Sequence, residues 1–102
     1  MTYEETMKSN NLNSGFTSYL GIDVVEIKPG CAKGEMLVTR HHENEIQSIH
    51  GGCLFASADA IGGVAASAKG NRATTVSGNF HFLSPGIGVK KLTAVATEQL
   101  LR

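Results

Sequence analysis

The 102-residue chain carries nine basic and nine acidic side chains, which cancel to a pI near 6.9. No run of Lys or Arg forms the electrostatic footprint that nucleic acid or an anionic membrane surface would need, so neither is expected as a partner. The segment 1–11 lacks the charged-then-apolar order of a secretory signal, and no apolar stretch reaches the ~18 residues of a membrane span. A single domain in the cytoplasm is expected. With no sign of export, Cys31 and Cys53 are read as reduced. A domain this small buries a limited share of its surface unless it associates, so oligomerisation is expected.

From Thr2 to Leu20 the pattern is mixed, with Phe16, Tyr19 and Leu20 spaced for a short helix that packs on a sheet and ends at Gly21. Ile22 to Lys28 is β-branched and bounded by Pro29-Gly30, and Cys31 to Thr39 follows, so two strands joined by a Pro-Gly turn are predicted. Arg40 to Ser48, with His41, His42, Glu43, Asn44 and Glu45, reads as a polar surface connection.

Gly51 to Ala68 contains one charge, Asp59, among Ala, Gly, Ser and aliphatic residues, and Lys69-Gly70 stops it. That predicts a helix of ~27 Å. It is apolar all round, so other elements should wrap it. Its four glycines make it poor in isolation, at about 1 kcal/mol each in interior positions, and packing must stabilise it. Arg72 to Leu83 alternates Val76, Phe80 and Phe82 against Thr75, Ser77, Asn79 and His81, a long strand ended by Ser84-Pro85-Gly86. Lys91 to Leu100 gives a further strand.

Asp59 is the sharpest clue to chemistry. A carboxylate in an apolar helix is costly unless hydrogen-bonded, paired or functional; the alternative is a structural Asp held by loop donors. Around it stand Phe55, Ala56, Gly62 and Gly63, which leave room for a substrate or another backbone. At the helix start, Gly51-Gly52 after His50 expose backbone N–H groups and the positive end of the macrodipole, a potential oxyanion site; the glycines alternatively serve only a tight loop-to-helix entry. Eight helical residues span ~12 Å, too far for Gly51 and Asp59 of one chain to grip one carbonyl. They therefore do unrelated jobs, or two copies contribute through an antiparallel, two-fold arrangement with two equivalent sites.

Asn44, then His50-Gly51-Gly52, then Asp59 on an apolar helix resembles the phenylacetate-pathway-like branch of the hotdog-fold acyl-CoA thioesterases. Tyr19-Leu20-Gly21-Ile22 and Phe80-His81-Phe82-Leu83-Ser84-Pro85 resemble the same branch. The resemblance implies an α+β hotdog fold, a long helix wrapped by a curved antiparallel sheet, with sites at the interface of a homodimer or of a dimer of dimers. It implies a coenzyme A thioester substrate with a medium-chain or aromatic acyl group, and no metal or redox cofactor. Asp59 would activate water or attack the thioester, and the Gly51 N–H would polarise the carbonyl. Asn44 would orient carbonyl or water, and His50 would lie beside the leaving thiol or fix the loop. A strand hydroxyl, Thr75 in preference to Ser77, would hold the water, while Gly52, Phe55 and Ser77 would contact substrate. Gln47 stands where this branch commonly has glycine, which implies a loop of different shape. Hotdog domains continue through about two strands beyond the segment present here, so an incomplete sheet with an open edge is expected.

Three other readings compete. Cys53 follows His50 by three residues, the spacing of a Cys-His hydrolase pair, although a small core residue is the simpler reading. His41, His42, His50 and His81 have no recognised metal-ligand spacing. A non-catalytic hotdog module that binds acyl-CoA or only assembles is the alternative from another functional class.

Overall fold

The computed structural model describes residues 2–13, 15–68 and 86–97. The leader forms two helices, α1 (Tyr3–Asn13) and α2 (Gly15–Leu20), and not one short one. Gly21 ends α2 at φ 80°, a conformation open to glycine. Phe16 and Tyr19, expected against the sheet, are 67% and 86% exposed, and Leu20 packs on the core in their place. Asn11 anchors α1: its Nδ2 donates to the Val24 carbonyl (3.1 Å) and its Oδ1 accepts from the Val24 N–H (2.8 Å). The amide thereby acts as a strand partner and blunts an exposed sheet edge.

Strands β1 (Ile22–Lys28), β2 (Cys31–Leu37) and β3 (Lys91–Thr97) form an antiparallel sheet in the order β1-β2-β3. The β1-β2 turn has Gly30 at φ 69°. Strict alternation would turn Glu26 toward the core. A bulge at Val25 shifts the register, pairing Val24 with Gly34 and Glu26 with Lys33, and Ile27 faces inward instead.

Helix α3 (Gly51–Ser67) lies across the sheet and is ~26 Å long. Cys53, Ser57, Ile61, Val64 and Ala65 form its buried stripe. They meet Ile22, Val24, Ala32 and Met36 in one core that Ile27 and Ile49 complete. Gly34 sits under Ile61: a Cβ there would lie 2.6 Å from Ile61 Cγ1 and 3.2 Å from the Asp23 carbonyl oxygen. The helix rests this close because β2 offers bare backbone at that point.

The opposite face of α3, with Phe55, Ala58, Asp59 and Ala66, is exposed. The three described strands thus cover one side of the helix and do not wrap it. The predicted strand 72–83 lies outside the described residues. None of the described helices is long and apolar enough to cross a membrane.

The connection 40–48 lies largely at the surface, as expected, but two of its residues turn inward. Arg40–His42 is a 3-10 turn, and within it His42 is buried, as is Ser48 farther along. Beyond the turn the chain folds back on itself. Glu43 bridges Ile49, Asn44 N–H donates to the Ser48 carbonyl (2.8 Å), and Ser48 bridges Ile87.

Candidate active site

A helix N-terminus leaves its first N–H groups without intrahelical acceptors, and here each can be accounted for. His50 is the N-cap at φ −61°, ψ 134°. Its carbonyl accepts from Cys53 N–H (2.9 Å) and Leu54 N–H (3.3 Å), and its Nδ1 accepts from Gly52 N–H (2.8 Å). Of the first N–H groups of α3, that of Gly51 alone has no acceptor among the described residues, and it lies at the positive end of the helix dipole. The Gly52 N–H is therefore occupied. What Gly52 supplies is space, since a Cβ there would stand 2.9 Å from His50 Nδ1. With Nδ1 accepting, the proton of the neutral imidazole sits on Nε2, and the residue is exposed.

Asn44 organises the loop before the helix. Its Oδ1 accepts from Ile46 N–H (3.1 Å) and Ser48 N–H (3.0 Å), and its carbonyl accepts from Gln47 N–H (3.0 Å). Two backbone donors on the oxygen fix the amide's orientation and leave Nδ2 available as a donor. Gln47, expected to alter the loop, takes φ 62°, the left-handed region that glycine enters without cost. Holding a side chain there costs about 1–2 kcal/mol, against about 0.5–1 for the greater chain entropy of glycine. Gln47→Gly is accordingly expected to stabilise the fold by about 0.5–1 kcal/mol, read as a rise in thermal midpoint.

Asp59 lies two helical turns beyond Gly51 on the exposed face of α3, beside Phe55, which is 37% exposed. The burial that would make this carboxylate costly is thus absent within one chain. Gly62 and Gly63 flank it, and a Cβ on either would meet nothing within 4 Å. Gly51 and Asp59 remain ~12 Å apart along the helix, so one chain does not bring them together. Thr75 and Ser77 lie outside the described residues.

Two hollows adjoin the sheet. One, of about 290 Å³, opens between α3 and β3 and is lined by Leu54, Ser57, Ile61, Leu92, Ala94 and Ala96 among others. Its single buried hydroxyl, Ser57 Oγ, has no hydrogen-bond partner among the described residues, and Ser57 is 3% exposed. The other, about 890 Å³ and half open, runs over the opposite sheet face between Tyr19, Val25, Leu37 and His41. None of the described candidate residues lines it, and Lys91 there is held by Glu35 (3.0 Å).

The Cys-His reading fails on geometry. His50 Nδ1 is engaged by Gly52, Cys53 is buried, and burial pushes its thiol pKa up, the wrong direction for a nucleophile. Both cysteines are free. Among the described residues no three His, Cys, Asp or Glu side chains are placed to hold a metal ion.

The residue missed at sequence level is His42. Its ring, 6% exposed, accepts from Thr39 N–H at Nδ1 (2.9 Å) and donates from Nε2 to the Leu20 carbonyl (2.6 Å). Its carbonyl accepts the His50 N–H (2.7 Å). Adjacent histidines in a polar run carry no sequence signal of such burial.

This arrangement matches known proteins. A family model described as the thioesterase superfamily matches residues 47–99. The chain is 37% identical over 84 residues to the acyl-coenzyme A thioesterase PaaI of Escherichia coli (strain K12), covering 82% of this chain and 60% of that protein. It is 30% identical over 86 residues to a putative esterase of Archaeoglobus fulgidus, covering 84% and 56%. The solved structure of the E. coli PaaI protein superposes with a TM-score of 0.83 at 33% identity, covering 92% of this chain and 68% of that one. The chain thus spans somewhat over half the length of these curated relatives. The helix over an antiparallel sheet is the hotdog arrangement that the motif implied, and the chain belongs to the thioesterase superfamily.

Proposed function

We propose that the protein is an acyl-CoA thioesterase whose active sites are completed by two copies of this chain, releasing a carboxylic acid and free coenzyme A. The observation that carries this reading is the accounting at the start of α3: one N–H, that of Gly51, is left without an acceptor among the described residues. A backbone donor at a helix N-terminus suits the oxyanion that forms when a thioester carbonyl is attacked. Asn44 Nδ2, left available by the two bonds on its oxygen, is the second donor.

Asp59 supplies the attack, either by taking a proton from water as it adds to the carbonyl or by adding to the carbonyl itself, in which case thiolate leaves and water then hydrolyses the acyl-Asp59 anhydride to the free acid. Because one chain separates it from Gly51, the acid comes from a second copy whose helix runs antiparallel. The bare surface at Gly62 and Gly63 lets two helix backbones approach closely. Collapse of the intermediate breaks the carbon–sulfur bond, and the Nε2–H of His50 stands as donor to the departing thiolate. Thr75, in preference to Ser77, holds the water. The reading calls on no metal or redox cofactor, since carboxylate, water and N–H donors suffice.

The acyl group, medium-chain or aromatic, enters the apolar hollow between α3 and β3, whose size suits an acyl group and not a whole coenzyme A. Phe55, on the exposed face of α3 and not in the lining of that hollow, would contact the substrate beside Asp59. A homodimer, alone or as a dimer of dimers, and a cytoplasmic location with reduced Cys31 and Cys53 belong to the same reading.

The test is release of free coenzyme A from a panel of aromatic and medium-chain acyl-CoAs, with oligomeric state recorded. Wild-type turnover that falls at least about 100-fold in a still-dimeric Asp59→Ala is the expected result. A folded wild-type dimer that binds acyl-CoA without turnover would instead establish a non-catalytic binding module.

A further inference from the structure

We propose that His42 is a positioning residue that holds the Gly51 N–H in its donor geometry, an inference that rests on the thioesterase reading. The imidazole is fixed at both nitrogens. Thr39 N–H, just past the end of β2, donates to Nδ1, and Nε2–H donates to the carbonyl of Leu20 at the end of α2. The Thr39 hydroxyl lies 3.3 Å from Nδ1. These opposite senses require the neutral ring with its proton on Nε2.

A ring clamped between two elements fixes its own backbone, and the His42 carbonyl accepts the N–H of His50, the N-cap residue, at 2.7 Å. The His50 carbonyl then takes the N–H groups of Cys53 and Leu54, and its ring takes that of Gly52. The peptide between His50 and Gly51 is thereby held at one orientation, with the Gly51 N–H outward. Asn44 lies within the same fold-back, between His42 and His50, so the clamp also sets the second donor relative to the first. A donor that must meet an oxyanion within a few tenths of an ångström needs such support, because a shift of about 1 Å can cost about 100-fold in rate.

Burial alone would make His42 merely structural, so the test needs a readout that stability does not move. The variants are His42→Phe, which keeps the buried ring and loses both bonds, and His42→Gln, whose amide nitrogen can still reach the Leu20 carbonyl. Each is assayed well below its unfolding temperature, and the Gly51 and Gly52 amide resonances are followed by heteronuclear NMR. His42→Phe is expected to lower kcat by about 10- to 100-fold with KM nearly unchanged, and to move the Gly51 resonance. His42→Gln is expected to recover part of both. A folded His42→Phe with wild-type kcat and an unmoved Gly51 resonance would overturn the proposal. If His42→Phe does not fold, His42→Gln decides: its kcat and Gly51 resonance must differ from wild type, and wild-type values for both overturn the proposal. Were the wild type itself to lack turnover, the thioesterase reading would fail, while the Gly51 resonance would still report whether His42 sets that N–H.

Discussion

Gly51→Pro is expected to lower kcat by about 100- to 1000-fold, or about 3–4 kcal/mol of transition-state stabilisation, while leaving helix α3 in place. Proline is well tolerated at the first helical position, where the N–H has no intrahelical acceptor. It restricts the preceding residue to extended angles, and His50 already adopts φ −61°, ψ 134°. The substitution therefore removes one hydrogen-bond donor and little else from the backbone. KM should change little, since the donor acts on charge that develops after binding. Circular dichroism checks the helix and steady-state kinetics the rate. Unchanged kcat in a folded Gly51→Pro would place the oxyanion donor elsewhere.

The second large effect falls on stability. Gly34→Val is expected to destabilise the fold by about 3 kcal/mol or more, and Gly34→Ala by about 1–3 kcal/mol. The Cβ alone would collide with the Ile61 side chain, which is fully buried. The Asp23 carbonyl limits retreat of β2 on the other side. Any lifting of α3 from the sheet to relieve the clash loosens the core cluster that Ile61 shares with Ile22 and Met36. For a domain with about 5–15 kcal/mol in hand, that is a large fraction. Denaturant unfolding of the three proteins gives the ranking directly. Equal midpoints for all three would mean that the helix does not rest on Gly34.

Much of the architecture is local and therefore readable. The apolar run from Gly51, the Pro-Gly turn and the alternation of Leu92, Ala94 and Ala96 are each carried by neighbouring residues. What escaped depends on contacts distant in sequence. The bulge at Val25 arises where β1 must turn Ile27 inward, and alternation contains no mark of it. Phe16 and Tyr19 look like packing residues by composition, yet α2 presents them outward. His42 sits in a polar run, and its burial is possible only because a carbonyl 22 residues earlier and a backbone N–H three residues earlier satisfy the ring.

The site is legible to the same degree. Gly51 and Asp59 could be named as candidates because their chemistry is unusual for their surroundings in the sequence, and His50 because it opens the helix. Their division of labour could not. Gly52 looks equivalent to Gly51 in sequence, but the His50 ring takes its N–H, and this separates donor from spacer. Gln47 is the converse case: a residue that looked disruptive accepts a glycine-like backbone angle.

The claim that two copies complete each site is tested most directly by mixing Asp59→Ala with Gly51→Pro. Each variant alone is expected to be inactive, because both of its two sites lack one component. In a mixed dimer, one site takes Gly51 from the first chain and Asp59 from the second and is complete, whereas the other lacks both. Random exchange makes half of the dimers mixed, so activity should return to about a quarter of the wild-type value. A mixture that exchanges subunits fully, as verified by mass spectrometry, yet stays inactive would contradict the shared site.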